Sequence, residues 1–330
     1  MRFGLFGSAQ VRRDDASGRG FHDYVELCVE AEALGYHASF LVEHHFTGLG
    51  QVSASLMLQG WVAARTTTFR IGTAVLVLPW HNPVLLAEQA ATLDVMSRGR
   101  LDFGVGKGYR RNEFDGFCLP IDEAEARFTE SVEVIRRAWT SDRPFSHRGR
   151  FWRFDDIVVE PAPAQRPHPP LWMAAGSPES IRRAARLGAR LLLDQFASPV
   201  QIGERIALYR EAVEAAGGRF DPLSVAVARD AYVATDAADL AAARERQARA
   251  HGEMIRLSRF PDGQHRSHIM SYADRPEGTG AHSLYGTADV VARQLEALRD
   301  QGVTTVLLNG GRAPRETVTR FARDVMPGFV

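Results

Sequence analysis

Glu43, His44 and His45 stand together just past the apolar run Ala38–Val42. A carboxylate beside two imidazoles is equipment for moving protons near neutral pH. Alternation along an extended segment puts His44 on one side and Glu43 and His45 on the other. Three readings compete: proton transfer, a packed and hydrogen-bonded imidazole, which weighs more on His45 than on His44, and a metal ligand. Metal needs three or four convergent ligands, and neither His-Glu-x-x-His spacing nor a cysteine pair is present, so none is expected.

A second chemical group is Ala175-Gly176-Ser177-Pro178-Glu179-Ser180. Glycine lets a ligand approach the backbone, Ser177 and Ser180 add hydroxyls, and the start of the following helix adds free N–H groups and a positive dipole. That combination suits an anion, with Lys107 as a point charge at a neighbouring strand end. In the plainer reading Ser177 is only a helix cap and Lys107 a solvated rim charge. Gly104-x-Gly106-x-Gly108 misses the dinucleotide fingerprint, since its third glycine falls one residue early. Neither a Gly-x-Ser-x-Gly elbow nor a Walker loop occurs, which removes the best support for a hydrolase or kinase.

The elements that must position these residues follow from periodicity. Short apolar or β-branched runs, Arg2–Phe6, Ala38–Val42, Arg70–Leu76, Leu101–Val105, Leu171–Ala174, Arg190–Asp194, Ser224–Val233 and Thr304–Asn309, read as eight strands. Phe21–Leu34, Val52–Arg65, Pro83–Ser97, Glu123–Thr140, Pro178–Leu187, Pro199–Ala216, Ala237–Arg249, Ala288–Gln301 and Arg315–Met326 read as helices. Ser177-Pro178 and Ser198-Pro199 mark helix starts; Gly35, Gly188, Gly217 and Gly302 mark helix ends. The alternation predicts an α/β fold, a (β/α)8 TIM barrel forming a single domain over residues 1–330. Polar residues just past a barrel strand point into the site, where both groups above fall.

Insertions are expected after strands 4 and 7. Residues 141–170 carry Phe145–His147 and Phe151–Phe154, a small hairpin, then a proline-rich connection. Residues 256–284 form a long loop, expected as a lid or binding loop on the active-site face. His251, His265, His268 and His282 read as surface residues. Trp80, Phe46, Phe196 and Tyr109 are candidates for an apolar pocket lining, a role that competes with simple packing.

Bulk properties narrow the class. With 40 basic and 40 acidic side chains the net charge is zero, which argues against a nucleic-acid or membrane-surface partner. The apolar start Met1–Phe6 is too short for a signal peptide, and no run reaches the roughly 20 apolar residues of a membrane span. Two cysteines, Cys28 and Cys118, make no disulfide framework, so a cytoplasmic location is expected.

Together, Glu43-His44-His45-Phe46, Gly72-Thr73-Ala74-Val75, Leu78-Pro79-Trp80-His81-Asn82-Pro83, Ser97-Arg98-Gly99-Arg100-Leu101, Gly104-Val105-Gly106-Lys107-Gly108-Tyr109, Arg127-Phe128, Gly176-Ser177-x-x-Ser180 and Gly286-Thr287-Ala288 resemble the bacterial luciferase-like flavin monooxygenases. The likeness runs nearly the whole chain. It implies reduced FMN as cofactor, oxygen adding to the flavin to give a peroxide, and oxidation of a small organic substrate. Carried over by position, it implies that Lys107, Gly176, Ser177 and Ser180 hold the FMN phosphate, with Arg127 as a further partner. Many members carry arginine where Lys107 stands here. His44 matches the family's catalytic histidine, oriented by Glu43 and His45. Thr73-Ala74 matches the place of a non-proline cis peptide along the flavin face, and Tyr109 closes the neighbouring cofactor-binding motif. The resemblance further implies a separate NAD(P)H flavin reductase and a homodimer. The alternatives are a deazaflavin-dependent dehydrogenase of the same superfamily and a non-catalytic flavin-binding protein.

Overall fold

Strand formation follows the apolar runs. In the computed structural model, which describes residues 1–11, 16–49, 51–260, 268–272, 278–310 and 314–329, the strands are β1 (Arg2–Gly7), β2 (Ala38–Leu41), β3 (Arg70–Thr73), β4 (Leu76–Val77), β5 (Leu101–Gly106), β6 (Phe145–Arg148), β7 (Arg153–Ile157), β8 (Leu171–Ala174), β9 (Arg190–Leu193), β10 (Val225–Val233), β11 (Leu284–Gly286) and β12 (Thr305–Asn309). The helices are α1 (Arg19–Ala33), α2 (Ser55–Arg65), α3 (Pro83–Met96), α4 (Arg111–Gly116), α5 (Ala124–Thr140), α6 (Pro178–Arg186), α7 (Pro199–Ala215), α8 (Ala237–Ser258), α9 (Ala288–Asp300) and α10 (Pro314–Asp324). The hydrogen-bonded order is β10-β12-β1-β2-β3-β5-β8-β9 and back to β10, the strand order of a (β/α)8 barrel. Every residue of β2, β5 and β10 is buried, as expected for parallel strands covered on both faces.

The chain packs as two compact units. One holds Met1–Gly7, Glu26–Phe40 and Trp172–Val330; the other holds Ser8–Val25 and Leu41–Leu171. In the first, β10 runs parallel to β9, β12 and, at Ala231–Val233, to β11. Ser177 and Ser198 begin α6 and α7 with complete capping boxes, each followed by proline. In the second, Asn82 caps α3 by accepting from the Val84 and Leu85 N–H groups.

The structure adjusts several expectations. The third strand is not continuous: β3 ends at Thr73 and β4 resumes at Leu76, both parallel to β5. The non-proline cis bond is Ala74–Val75, one residue later than Thr73-Ala74. Thr73 is locked into β5 instead, its hydroxyl donating to the Gly104 carbonyl at 2.7 Å and accepting the Gly104 N–H at 2.9 Å. Helix α8 runs nine residues past Arg249, because Gln247 and His251 turn inward to a buried Asp230. The segment expected as one loop, 256–284, contains the end of α8, a 3-10 turn at His268–Tyr272 and the start of β11; residues 261–267 and 273–277 lie outside the described residues. The hairpin β6–β7 forms with a bulge between Phe145 and His147.

Gly108 shows how tightly the turn after β5 is built. Its φ is 75°, and a Cβ there would stand 2.6 Å from Val77 Cγ1 and 3.0 Å from Phe114 Cε2. Gly108→Ala is expected to lower unfolding free energy by about 1–3 kcal/mol through strain and overpacking, read as a lower urea midpoint at unchanged m. An unchanged midpoint would show that the turn has room.

Candidate active site

The second unit gathers carboxylates and imidazoles at the carboxyl end of β2. Glu43, 2% exposed, points inward, and its Oε1 accepts hydrogen bonds from His45 Nε2 at 3.1 Å and His81 Nε2 at 2.8 Å. Its Oε2 accepts the Val77 N–H at 2.7 Å. Burial alone would push this carboxyl up, but the two imidazoles, the His81 charge and the Val77 amide together hold it down at about 2. Glu43 therefore clamps the segment after β2 to the β4 region.

His44 faces the other way, as alternation requires, and its partner is not Glu43 or His45. Its Nδ1 lies 2.9 Å from Oε1 of Glu113, a residue 1% exposed on α4. The same oxygen accepts the His45 main-chain N–H at 2.9 Å, and Arg110 Nη1 stands 4.0 Å away. An ionised carboxylate only accepts, so the ring proton sits on Nδ1 and Nε2 carries the lone pair. Burial pushes the His44 pKa below its ordinary value; Glu113 pulls it up and the Arg110 charge reinforces the lowering. His44 is thus a neutral imidazole with Nε2 available as base or acceptor.

The expectation that Glu43 and His45 orient His44 directly is corrected: they form a parallel arrangement with His81, while Glu113 performs that service. Glu113 was missed because Arg111–Gly116 shows no helical period in so short a run.

Aromatic rings adjoin this cluster. Trp80 stacks on Phe117 at 5.2 Å and meets Phe114 edge-on at 5.1 Å; His45 packs against Phe117 at 4.8 Å and Phe46 at 5.8 Å. Trp80 and Phe46, expected as apolar lining, therefore belong to one group in this unit. Tyr109 lies beneath the Arg110 guanidinium, 5.7 Å from ring to Cζ. Phe46 is 59% exposed. Lys107 pairs with Glu125 at 2.9 Å, and Arg127 pairs with Glu123 at 2.9 Å while lying over the Phe151 ring.

In the first unit, the Ser177 hydroxyl accepts the Ser180 N–H at 3.3 Å and the Ser180 hydroxyl accepts the Ser177 N–H at 3.1 Å. Gly176 is held close: a Cβ there would lie 2.5 Å from His268 Cδ2. Behind this turn Arg205 bridges Asp194 Oδ2 at 2.7 Å, His268 Nε2 at 2.8 Å and the Tyr272 hydroxyl at 2.5 Å. Farther along β10, Asp230 receives His251 Nε2 at 2.6 Å, Gln247 at 3.1 Å and Asn309 at 2.8 Å. His251 is thus buried rather than a surface residue, and Phe196 packs on its ring at 5.6 Å. His268 is exposed yet tied to Arg205, and His265 lies outside the described residues.

Replacing Glu43 tests the clamp. Its folded pKa is depressed, so its contribution is fully present above the ordinary carboxylate value of about 4.3 and fades as pH falls towards 2. Glu43→Gln is expected to cost about 2–4 kcal/mol near neutral pH, a gap that narrows between about pH 5 and 2 in urea titrations. A gap independent of pH would contradict this assignment.

Residues 1–305 match the family model for luciferase-like monooxygenases. The oxygenase component of flavin-dependent trigonelline monooxygenase from Acinetobacter baylyi is 31% identical over 224 residues, 67% of this chain and 59% of that protein. The FMNH2-dependent dimethylsulfone monooxygenase of Pseudomonas putida is 29% identical over 321 residues, 92% of this chain and 86% of that one. The crystal structure of monooxygenase RslO1 from Streptomyces bottropensis superposes with a TM-score of 0.83 at 29% identity, covering 100% of both chains. Against several curated relatives, however, the match spans only 55–66% of their length. Among the described residues no helix is long and apolar enough to cross a membrane. On the family match across most of its length, and on the barrel order that carries it, this chain belongs to the luciferase-like monooxygenases.

Proposed function

We propose that this chain is the oxygenase component of a two-component flavin monooxygenase, taking reduced FMN from a separate NAD(P)H flavin reductase and oxidising a small organic substrate. The observation that carries the reading is the neutral His44, held through Nδ1 by buried Glu113 with Nε2 left as a base. Reduced flavin, when bound, activates O2 so that one oxygen atom passes to the substrate and the other leaves as water.

The donor set at the start of α6 fits the FMN phosphate. Pro178 has no N–H and the Ser180 N–H is taken by Ser177, which leaves the Glu179 N–H at the positive end of a nine-residue helix; the Ser177 hydroxyl donates to the Ser180 hydroxyl and the Ser180 hydroxyl to the Ser177 carbonyl, bonds that would be exchanged for a phosphate. Gly176 adds a backbone without a side chain. Lys107 and Arg127 each have a carboxylate partner already, so this turn is the stronger phosphate assignment.

The protein's own groups do the rest. His44 Nε2 takes up a proton during oxygen transfer, Glu113 stabilises the imidazolium so formed, and the proton leaves with the water. Glu43 keeps His45 and His81 in place, and the Trp80, Phe114 and Phe117 rings exclude water from the cluster. A homodimer, as the family resemblance implies, belongs to the same reading.

The test supplies reduced FMN with a flavin reductase and NADH and follows O2 uptake and product across a substrate panel. Ser177→Ala is expected to weaken reduced-FMN binding about tenfold, roughly 1.4 kcal/mol. His44→Ala is expected to leave that binding within about twofold while lowering product formation by about 10²–10⁴-fold. Tight binding of reduced deazaflavin with no O2 uptake would replace the oxygenase reading with a dehydrogenase.

A further inference from the structure

Arg110 is 3% exposed, and its guanidinium is only partly matched by what surrounds it. Nη1 reaches Gln51 Oε1 at 3.3 Å and stands 4.0 Å from Glu113, whose Oε1 already serves His44 and the His45 amide. Its Nε–H is buried with no hydrogen-bond partner. A buried donor left unmet is costly, more so when charged, so an acceptor that fills it is strongly favoured. Nε lies on the edge of a guanidinium that receives a carboxylate side-on through two parallel hydrogen bonds.

A second unmet donor belongs to the same side-chain cluster. Trp80 Nε1 is buried without a partner. The cluster connects through His45, whose ring packs on Trp80 at 5.8 Å and whose amide binds Glu113. Phe117 and Phe46 add ring surface to Trp80, with Trp80 stacked on Phe117 at 5.2 Å and Phe46 and Phe117 packed together at 5.0 Å. Stacked and edge-on aromatic partners suit a flat ring better than a branched aliphatic group.

We propose that Arg110 and Trp80 recognise the substrate and that this substrate is an aromatic carboxylate, its acid group on the Arg110 Nε edge and its ring against the Trp80–Phe117 group. The proposal rests on the oxygenase reading above and names the substrate class of that site. Placing the acid on Arg110 brings the substrate close to Glu113, which holds His44, and the Trp80 N–H supplies a second donor. The bound carboxylate also offsets the Arg110 charge, which otherwise depresses the His44 pKa, so substrate binding raises that pKa.

The experiment is isothermal titration of the cofactor-free protein with benzoate and 1-naphthoate against benzamide and 1-naphthamide, in wild type, Arg110→Gln, Arg110→Lys and Trp80→Phe. Wild type is expected to prefer each acid over its amide by at least about tenfold. Arg110→Gln abolishes that preference, Arg110→Lys restores part of it, and Trp80→Phe weakens acid and amide alike by several-fold. The His44 pKa, read by NMR, rises on benzoate binding and in Arg110→Gln. Equal affinity for acid and amide in wild type, or no binding of either acid, overturns the proposal without relying on any variant's folding. Reduced-FMN binding is measured in parallel: its presence with no acid preference rejects this inference alone, and its absence with a clear acid preference rejects only the oxygenase reading.

Discussion

Glu113 is a buried carboxylate shared by a ring nitrogen, a main-chain amide and a guanidinium, and the arrangement around it follows from meeting that charge. An ionised carboxylate at 1% exposure persists only if its lone pairs are filled. Filling them fixes the His44 tautomer, ties the segment after β2 to α4, and holds Arg110 inside the protein. Glu43 solves the same problem in parallel, with two imidazoles and the Val77 amide. The outcome is one imidazole left neutral with its lone pair outward and two imidazoles committed to structure.

The first unit uses buried charge differently. Arg229, 1% exposed, donates to the carbonyls of Asp194 and Ala197, and burial lowers its pKa to about 10 against the upward pull of Asp194 and Asp230. Arg205 ties Asp194 to His268 and Tyr272, and Asp230 ties β10 to α8 and to Asn309 on β12. Among the described residues, the turn His268–Tyr272 is held to Arg205 by charge-assisted hydrogen bonds and by the packing of Tyr272 on Phe196.

The barrel was legible because apolar runs and capped helices repeat along the chain: Ser177-Pro178, Ser198-Pro199 and the glycines after α1, α6, α7 and α9 all stand where the structure ends or begins an element. His44 was legible too, since alternation alone separates it from Glu43 and His45. Its partner was not. Glu113 sits some 70 residues away in sequence on a six-residue helix, and nothing local distinguishes a buried glutamate from a solvated one. The same holds for His251, whose helix looks finished at Arg249 by composition but continues because Asp230 lies within reach. Tertiary pairing of charges, rather than propensity, decided both positions.

The Glu113–His44 pairing is read from the tautomer and pKa of His44, obtained from ring nitrogen shifts in selectively labelled protein, with Glu113→Gln as the comparison. The expected result is a neutral ring protonated at Nδ1, a midpoint below about 6.5, and a further fall in that midpoint when the Glu113 charge is removed. A ring protonated at Nε2, or a midpoint above the ordinary histidine value, would contradict it.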